Sequence, residues 1–239
     1  MIPGVKLAHG TESYRLAPSK IIALGLNYDD HIKESVTVRS GGYDPVAPKE
    51  PVLFSKLTSS LIGPEEVIVL PQILAEYQYA DERTDYEGEI AVIMGREGQD
   101  IPTESAWDYV MGITAANDVS QRNIQKGDRS GWFRGKSFDT FLPIGPRIVP
   151  PAEFADLENI TIETRLNGTV VQSGSSRQMV FPIAETIHYV SRNFRLYPGD
   201  IILTGTPAGV GPIAHGDVVE VEIDQVGTLR NSVRDPRVS

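Results

Sequence analysis

Asp85-Tyr86-Glu87-Gly88-Glu89-Ile90-Ala91-Val92-Ile93 is the stretch on which the reading of this chain turns. From Ile90 onward it is apolar and rich in strand formers, which predicts a strand entering a core. Two carboxylates stand at the entrance, two residues apart, and in a strand such residues share a face. Side by side they repel, and burial penalises the charge on each. A divalent cation relieves both costs, and an all-oxygen donor set suits Mg²⁺, Mn²⁺ or Ca²⁺ rather than zinc. Asp118, after the apolar run from Val110 to Ala116, offers a third oxygen donor. The plain alternative places Glu87 and Glu89 on the solvated face of an edge strand.

Outward from that stretch the chain is punctuated by 22 Gly and 17 Pro, which break it into many short β-like runs. Strands are expected near 20–25, 51–55, 66–70, 88–94, 109–116, 142–149, 159–166, 169–172, 200–204, 217–224 and 227–233. Asn167-Gly168 between two of them predicts a tight hairpin with positive φ at both residues. Helices are few. Pro182 to Phe194 carries Ile183, Ile187, Val190 and Phe194 at helical spacing. Shorter ones are expected from Thr103 through Trp107 and over Asp29 to Glu34. Residues 35–50, with two Gly and two Pro, predict a mobile surface loop placed to act as a lid. The pattern is mainly β, a β-rich α+β chain of the roll or sandwich kind rather than a doubly wound sheet.

Composition bounds the function. At 239 residues the chain can bury a full core, read here as one catalytic domain over 20–239 after a short N-terminal segment, 1–19. A net charge of −10 argues against nucleic acid as partner. The absence of cysteine excludes disulfides, thiolate metal sites and a Cys nucleophile. No run approaches a membrane span and the N-terminus lacks the form of a signal peptide, so a cytosolic location is the default expectation.

Two further groups of residues carry chemistry. In a 29–34 helix, His31 and Glu34 are neighbours on one face, so the carboxylate holds one imidazole nitrogen and leaves the other as a base; the alternative is a surface His beside a solvated charge. Lys136, in the basic turn Arg134-Gly135-Lys136, suits a substrate carboxylate or charge developing on oxygen. The small-residue run from Thr204 to Gly211 would let backbone N–H groups approach an anion, although it is not a phosphate loop. His9, His188 and His215 lie beside no carboxylate cluster in sequence.

Taken in order, Gly25–Glu34, Asp85–Glu89, Ala116–Gln125, Arg134–Phe141, Leu166–Gly168, Gly199–Pro207 and Gly216-Asp217 resemble the fumarylacetoacetate hydrolase family. The resemblance implies the mixed β-sandwich roll of that family's C-terminal domain. It implies a divalent cation, Mg²⁺ or Mn²⁺, on Glu87, Glu89 and Asp118. It implies that Arg122, Gln125, Lys136 and Thr206 contact substrate, that His31 and Glu34 form the lid's acid–base pair, and that the protein is a homodimer. The expected substrate is a small 2-oxo acid, with the cation stabilising an enolate as the adjacent carbon loses an acyl group, CO₂ or a proton. Hydrolysis of a C–C bond in an acylpyruvate-like substrate is expected first. Decarboxylation of an oxaloacetate-type acid or isomerisation of a 2-hydroxydienedioate comes next, and non-catalytic binding of a 2-oxo acid last. Two departures from the family pattern stand out: Asn123 where many relatives carry Asp, and a longer connection over 72–83.

Overall fold

The computed structural model describes residues 5–34, 47–129 and 132–238. The predicted 35–50 loop lies mostly outside them. Strands dominate and helices are few and short, as the fold class expected from sequence requires. Among the described residues three sheets form: one of nine strands, one of five and one of three.

Strand Gly88–Met94 sits inside the large sheet, between Val110–Asn117 and Ile201–Leu203. Its residues alternate between two apolar cores, and so it is buried on both faces. Ile90, Val92 and Met94 face the first core with Ile22, Leu24, Ile113 and Ile202. That core is closed by Ile162, Val221 and Ile223 of the five-stranded sheet and by Ile183, Ile187 and Val190 of the Ile183–Asn193 helix. Ala91 and Ile93 face the second, with Ile21, Ala23, Ile144 and Ile201. Parallel pairing of Ile21–Gly25 with Ile201–Leu203 beside antiparallel neighbours makes the large sheet mixed.

Several elements depart from the sequence reading. The first nineteen residues, read as a short segment without strands, hold a hairpin, Val5–His9 with Glu12–Leu16. It extends the large sheet through parallel pairing with Leu142–Val149 and adds Val5, Leu7 and Leu16 to the second core. The strand expected over 66–70 shrinks to Ile68–Val69, and the one at 169–172 extends to Ser175. Thr103–Tyr109 is a 3₁₀ helix. Asn167 and Gly168 take φ of 52° and 79°, the tight hairpin expected of Asn-Gly. The basic turn around Lys136 is a one-turn helix, Phe133–Lys136, and a second short helix, Arg122–Gly127, was not anticipated. Each is too short for periodicity to reveal, and tertiary contacts decide its form.

Candidate active site

The polypeptide breaks its pairing at Glu87, between strand Thr84–Tyr86 and strand Gly88–Met94. Asn117 fixes the break: Glu87 N donates to its Oδ1 at 2.9 Å, and Asp118 N donates to Glu87 O at 2.8 Å. Gly88 lies so close to Thr164 that a Cβ would stand 2.1 Å from its hydroxyl, so only glycine fits between the two glutamates. Glu87, Glu89 and Asp118 are thereby brought together, with ligand oxygens within 4.8 Å of one another and all three residues buried. The edge-strand alternative is excluded by this burial.

Cations surround two of the three. Lys136 Nζ donates to Asp118 Oδ2 at 2.6 Å and to Glu87 Oε2. Arg122 reaches Glu87 with Nη2, Asp85 with Nε at 2.8 Å and Gln125 Oε1 with Nη1 at 3.0 Å. Burial alone would raise the pKa of Glu87, but the charges of Arg122 and Lys136 hold it far below the usual carboxylate range. Glu89 behaves oppositely. Burial and the neighbouring charges of Asp118 and Glu87 raise its pKa well above the ordinary value, with partial relief from Lys136 and from Gly205 N–H at 2.8 Å. A buried oxygen-donor triad with one member short of positive charge fits a hard divalent cation, and the donor set excludes a thiophilic one.

Lys56, absent from the sequence reading, is fully buried at the same centre. Its Nζ donates to Asp118 Oδ1 and to the carbonyl of Lys136, joining the triad to the Phe133–Lys136 helix. Burial lowers its pKa, Lys136 adds to that, and Asp118 opposes it. The signal was present as a lone lysine just after the apolar run Val52-Leu53-Phe54. Asp85, also missed, orients Arg122 and takes Arg83 Nε at 2.7 Å.

One cleft is lined by Glu87, Glu89, Arg122, Gln125, Lys136, Thr206 and His31, with Leu24, Leu26, Phe54 and Trp132 on its apolar side. The Asp29–Glu34 helix brings His31 to it, 7% exposed, with Nδ1 3.4 Å from Glu34 Oε1. Glu34 also accepts from Gly209 N at 2.7 Å and Val210 N at 3.4 Å. Burial would raise the pKa of Glu34, and the bonds from His31, Gly209 and Val210 outweigh it and lower the value. The Thr204–Gly211 run does gather anions, but they are the protein's own: Glu34 at Gly209 and Glu89 at Gly205. Thr206 spends its hydroxyl proton on Gly88 O at 2.8 Å and accepts from Gln172 at 2.7 Å. His188 bonds Ile101 O, and His215 accepts from Asp235 N; neither lines the cleft.

Comparison with known proteins places this arrangement. A profile described as fumarylacetoacetate (FAA) hydrolase C-terminal matches residues 20–234. A mitochondrial oxaloacetate tautomerase of Homo sapiens is 42% identical over 224 residues, covering 90% of this chain and 67% of the human protein. Among solved structures, a 2-hydroxyhepta-2,4-diene-1,7-dioate isomerase of Mycobacterium marinum is 34% identical with a TM-score of 0.77, covering 96% of this chain and 83% of that one. A fumarylpyruvate hydrolase of Pseudomonas aeruginosa, in complex with Mn²⁺ and pyruvate, is 28% identical with a TM-score of 0.82, covering 97% and 95%. The chain belongs to the fumarylacetoacetate hydrolase family and is an enzyme of that family. Among the described residues no helix is long and apolar enough to cross a membrane.

Proposed function

We propose that this enzyme uses a divalent cation, Mg²⁺ or Mn²⁺, to interconvert the enol and keto forms of a small 2-oxo acid by proton transfer at the carbon beside the keto group. The observation that carries this reading is the convergence of the three carboxylates within 4.8 Å, two of which, Glu87 and Glu89, line one cleft with His31 and Lys136. Glu87, Glu89 and Asp118 hold the cation. When bound, it supplies Lewis acidity to the 2-oxo group.

The chain's own residues do the rest. Arg122 and Gln125 receive the substrate's head carboxylate, and Lys136 supplies positive charge beside the keto oxygen. His31 faces Glu34 with Nδ1, which leaves Nε2 to carry the proton between the carbon and the enol oxygen, taking it from one and delivering it to the other. Glu34, kept ionised by the Gly209 and Val210 amides, fixes the imidazole and stabilises its charged form.

A second reading, C–C hydrolysis of an acylpyruvate-like substrate, uses the same His31–Glu34 pair to activate water. The Mn²⁺- and pyruvate-bound hydrolase favours it. It stands second because 42% identity to the tautomerase exceeds 28% to the hydrolase. Absorbance assays of enol-oxaloacetate ketonisation and acetylpyruvate cleavage, with Mn²⁺ and then EDTA, separate the two. Acceleration of ketonisation that EDTA abolishes is the expected result. Failure to accelerate either reaction, or full activity in Glu87→Ala, overturns the metal-assisted reading.

A further inference from the structure

Asn123 and the end of the 72–83 connection meet in space. Asn123 Oδ1 accepts from Arg83 N at 2.8 Å and from Gln121 Nε2 at 3.2 Å, while Nδ2 donates to Asp81 O at 2.8 Å. Arg122 N donates to Arg83 O at 2.8 Å. The start of the Arg122–Gly127 helix is thus bonded along the end of the 72–83 connection. One bond needs an acceptor and another a donor, and a primary amide has both where a carboxylate only accepts.

The same connection also grips the neighbouring helix. Arg134 Nη2 donates to Tyr77 OH at 2.7 Å, and Tyr77 stacks on Tyr79 with ring centroids 5.4 Å apart and planes 6° from parallel. Arg134 precedes Lys136 by two residues in the Phe133–Lys136 helix. The two helices pack so closely that a Cβ on Gly135 would stand 2.8 Å from Gln121 O and from Gln125. Holding one helix therefore holds the other.

We propose that Asn123 is a positioning residue: with residues 77–83 it forms a clasp that sets Arg122, Gln125 and Lys136 against the carboxylate triad. This inference rests on the reading of Arg122 as a substrate ligand. Short helices with little burial of their own wander unless other contacts fix them, and a site loses function when its groups drift by about 0.5 Å. The 72–83 connection supplies the carbonyl of Asp81 and the amide of Arg83, and Asn123 is the side chain that reads both.

The test is oxalate binding to the Mn²⁺-loaded full chain by calorimetry, with Mn²⁺ affinity and Tm measured alongside. Asn123→Asp is expected to weaken oxalate about tenfold while Mn²⁺ affinity and Tm stay near wild type, and to raise KM more than it lowers kcat. Tyr77→Ala is expected to weaken oxalate as well, and adding Asn123→Asp to it should cost less than the product of the single effects. Hydrogen exchange at the amides of 122–127 should quicken in Asn123→Asp. Arg122→Ala separates the two ideas. If it leaves oxalate binding intact, the substrate-ligand reading beneath the proposal fails. If it weakens oxalate while Asn123→Asp does not, the clasp alone is overturned.

Discussion

The Gly88–Met94 strand, from Ile90 onward, and the acidic stretch at the break that precedes it obey opposite rules. Ile90 through Met94 and the pair Glu87 and Glu89 are equally buried, none more than 4% exposed. The apolar end gains about 25 cal/mol for each Å² it removes from water. The acidic end loses by the same burial and persists because Lys136, Arg122 and Lys56 answer Glu87 and Asp118, and because the triad suits a dication. Burial alone therefore does not separate core from site. What separates them is whether burial lowers or raises the free energy of the side chain, and costly burial marks where function has been placed.

Replacing one residue at each end tests that contrast. At the acidic end, Glu89→Ala is expected to lower kcat/KM by about three orders of magnitude or more, roughly 4 kcal/mol of transition-state stabilisation, and to abolish Mn²⁺ binding. Steady-state kinetics with Mn²⁺ titration measures both, and retained Mn²⁺ affinity would break the contrast. At the apolar end, Ile93→Ala, at a wholly buried site, should cost ~2–5 kcal/mol in urea unfolding while activity per folded molecule persists. His31→Ala lies off the strand but within the cleft. It should slow turnover ~10²-fold or more with Mn²⁺ affinity unchanged, since His31 moves protons and does not hold the ion.

A smaller effect sharpens the comparison. Glu89 has its pKa raised in the folded protein, so its ionised form is disfavoured there relative to the unfolded chain. Its contribution is neutral below the unfolded carboxylate value and becomes destabilising as pH rises above it. Without divalent ions, Glu89→Gln should therefore raise Tm at pH 7, and the gain should shrink toward pH 4. Added Mn²⁺ should reverse the order, stabilising wild type above the variant. A wild type already more stable than Glu89→Gln in EDTA would show that the local cations alone satisfy the triad. Smallest of all, Asn167→Ala in the hairpin should cost about 1 kcal/mol and leave kinetics untouched, because that turn serves the fold only.

Much of this was legible beforehand, and for identifiable reasons. The Asn167-Gly168 hairpin and the 183–193 helix depend on neighbours within a few residues, so local sequence carries them. The acidic pair was legible because two carboxylates ahead of an apolar run contradict its character. Lys56 was not, since its partners Asp118 and Lys136 lie 62 and 80 residues away and nothing near it declares them. The place of the N-terminal hairpin escaped for the same reason: its own pairing is local, but its parallel pairing with Leu142–Val149 spans the chain.

The sequence by itself determined the strand-rich class, the burial of the apolar run from Ile90 onward, and which side chains were too polar for an ordinary core. Tertiary structure alone decided that Glu87, Glu89 and Asp118 share a center with Lys136 and Lys56, that the Thr204–Gly211 amides serve the protein's own carboxylates, and that Asn123 meets the 72–83 connection. The physical reason is range. Backbone preference and hydrophobic periodicity act over a few residues, whereas the balance of buried charge is settled between groups distant in sequence that meet only when the sheets close.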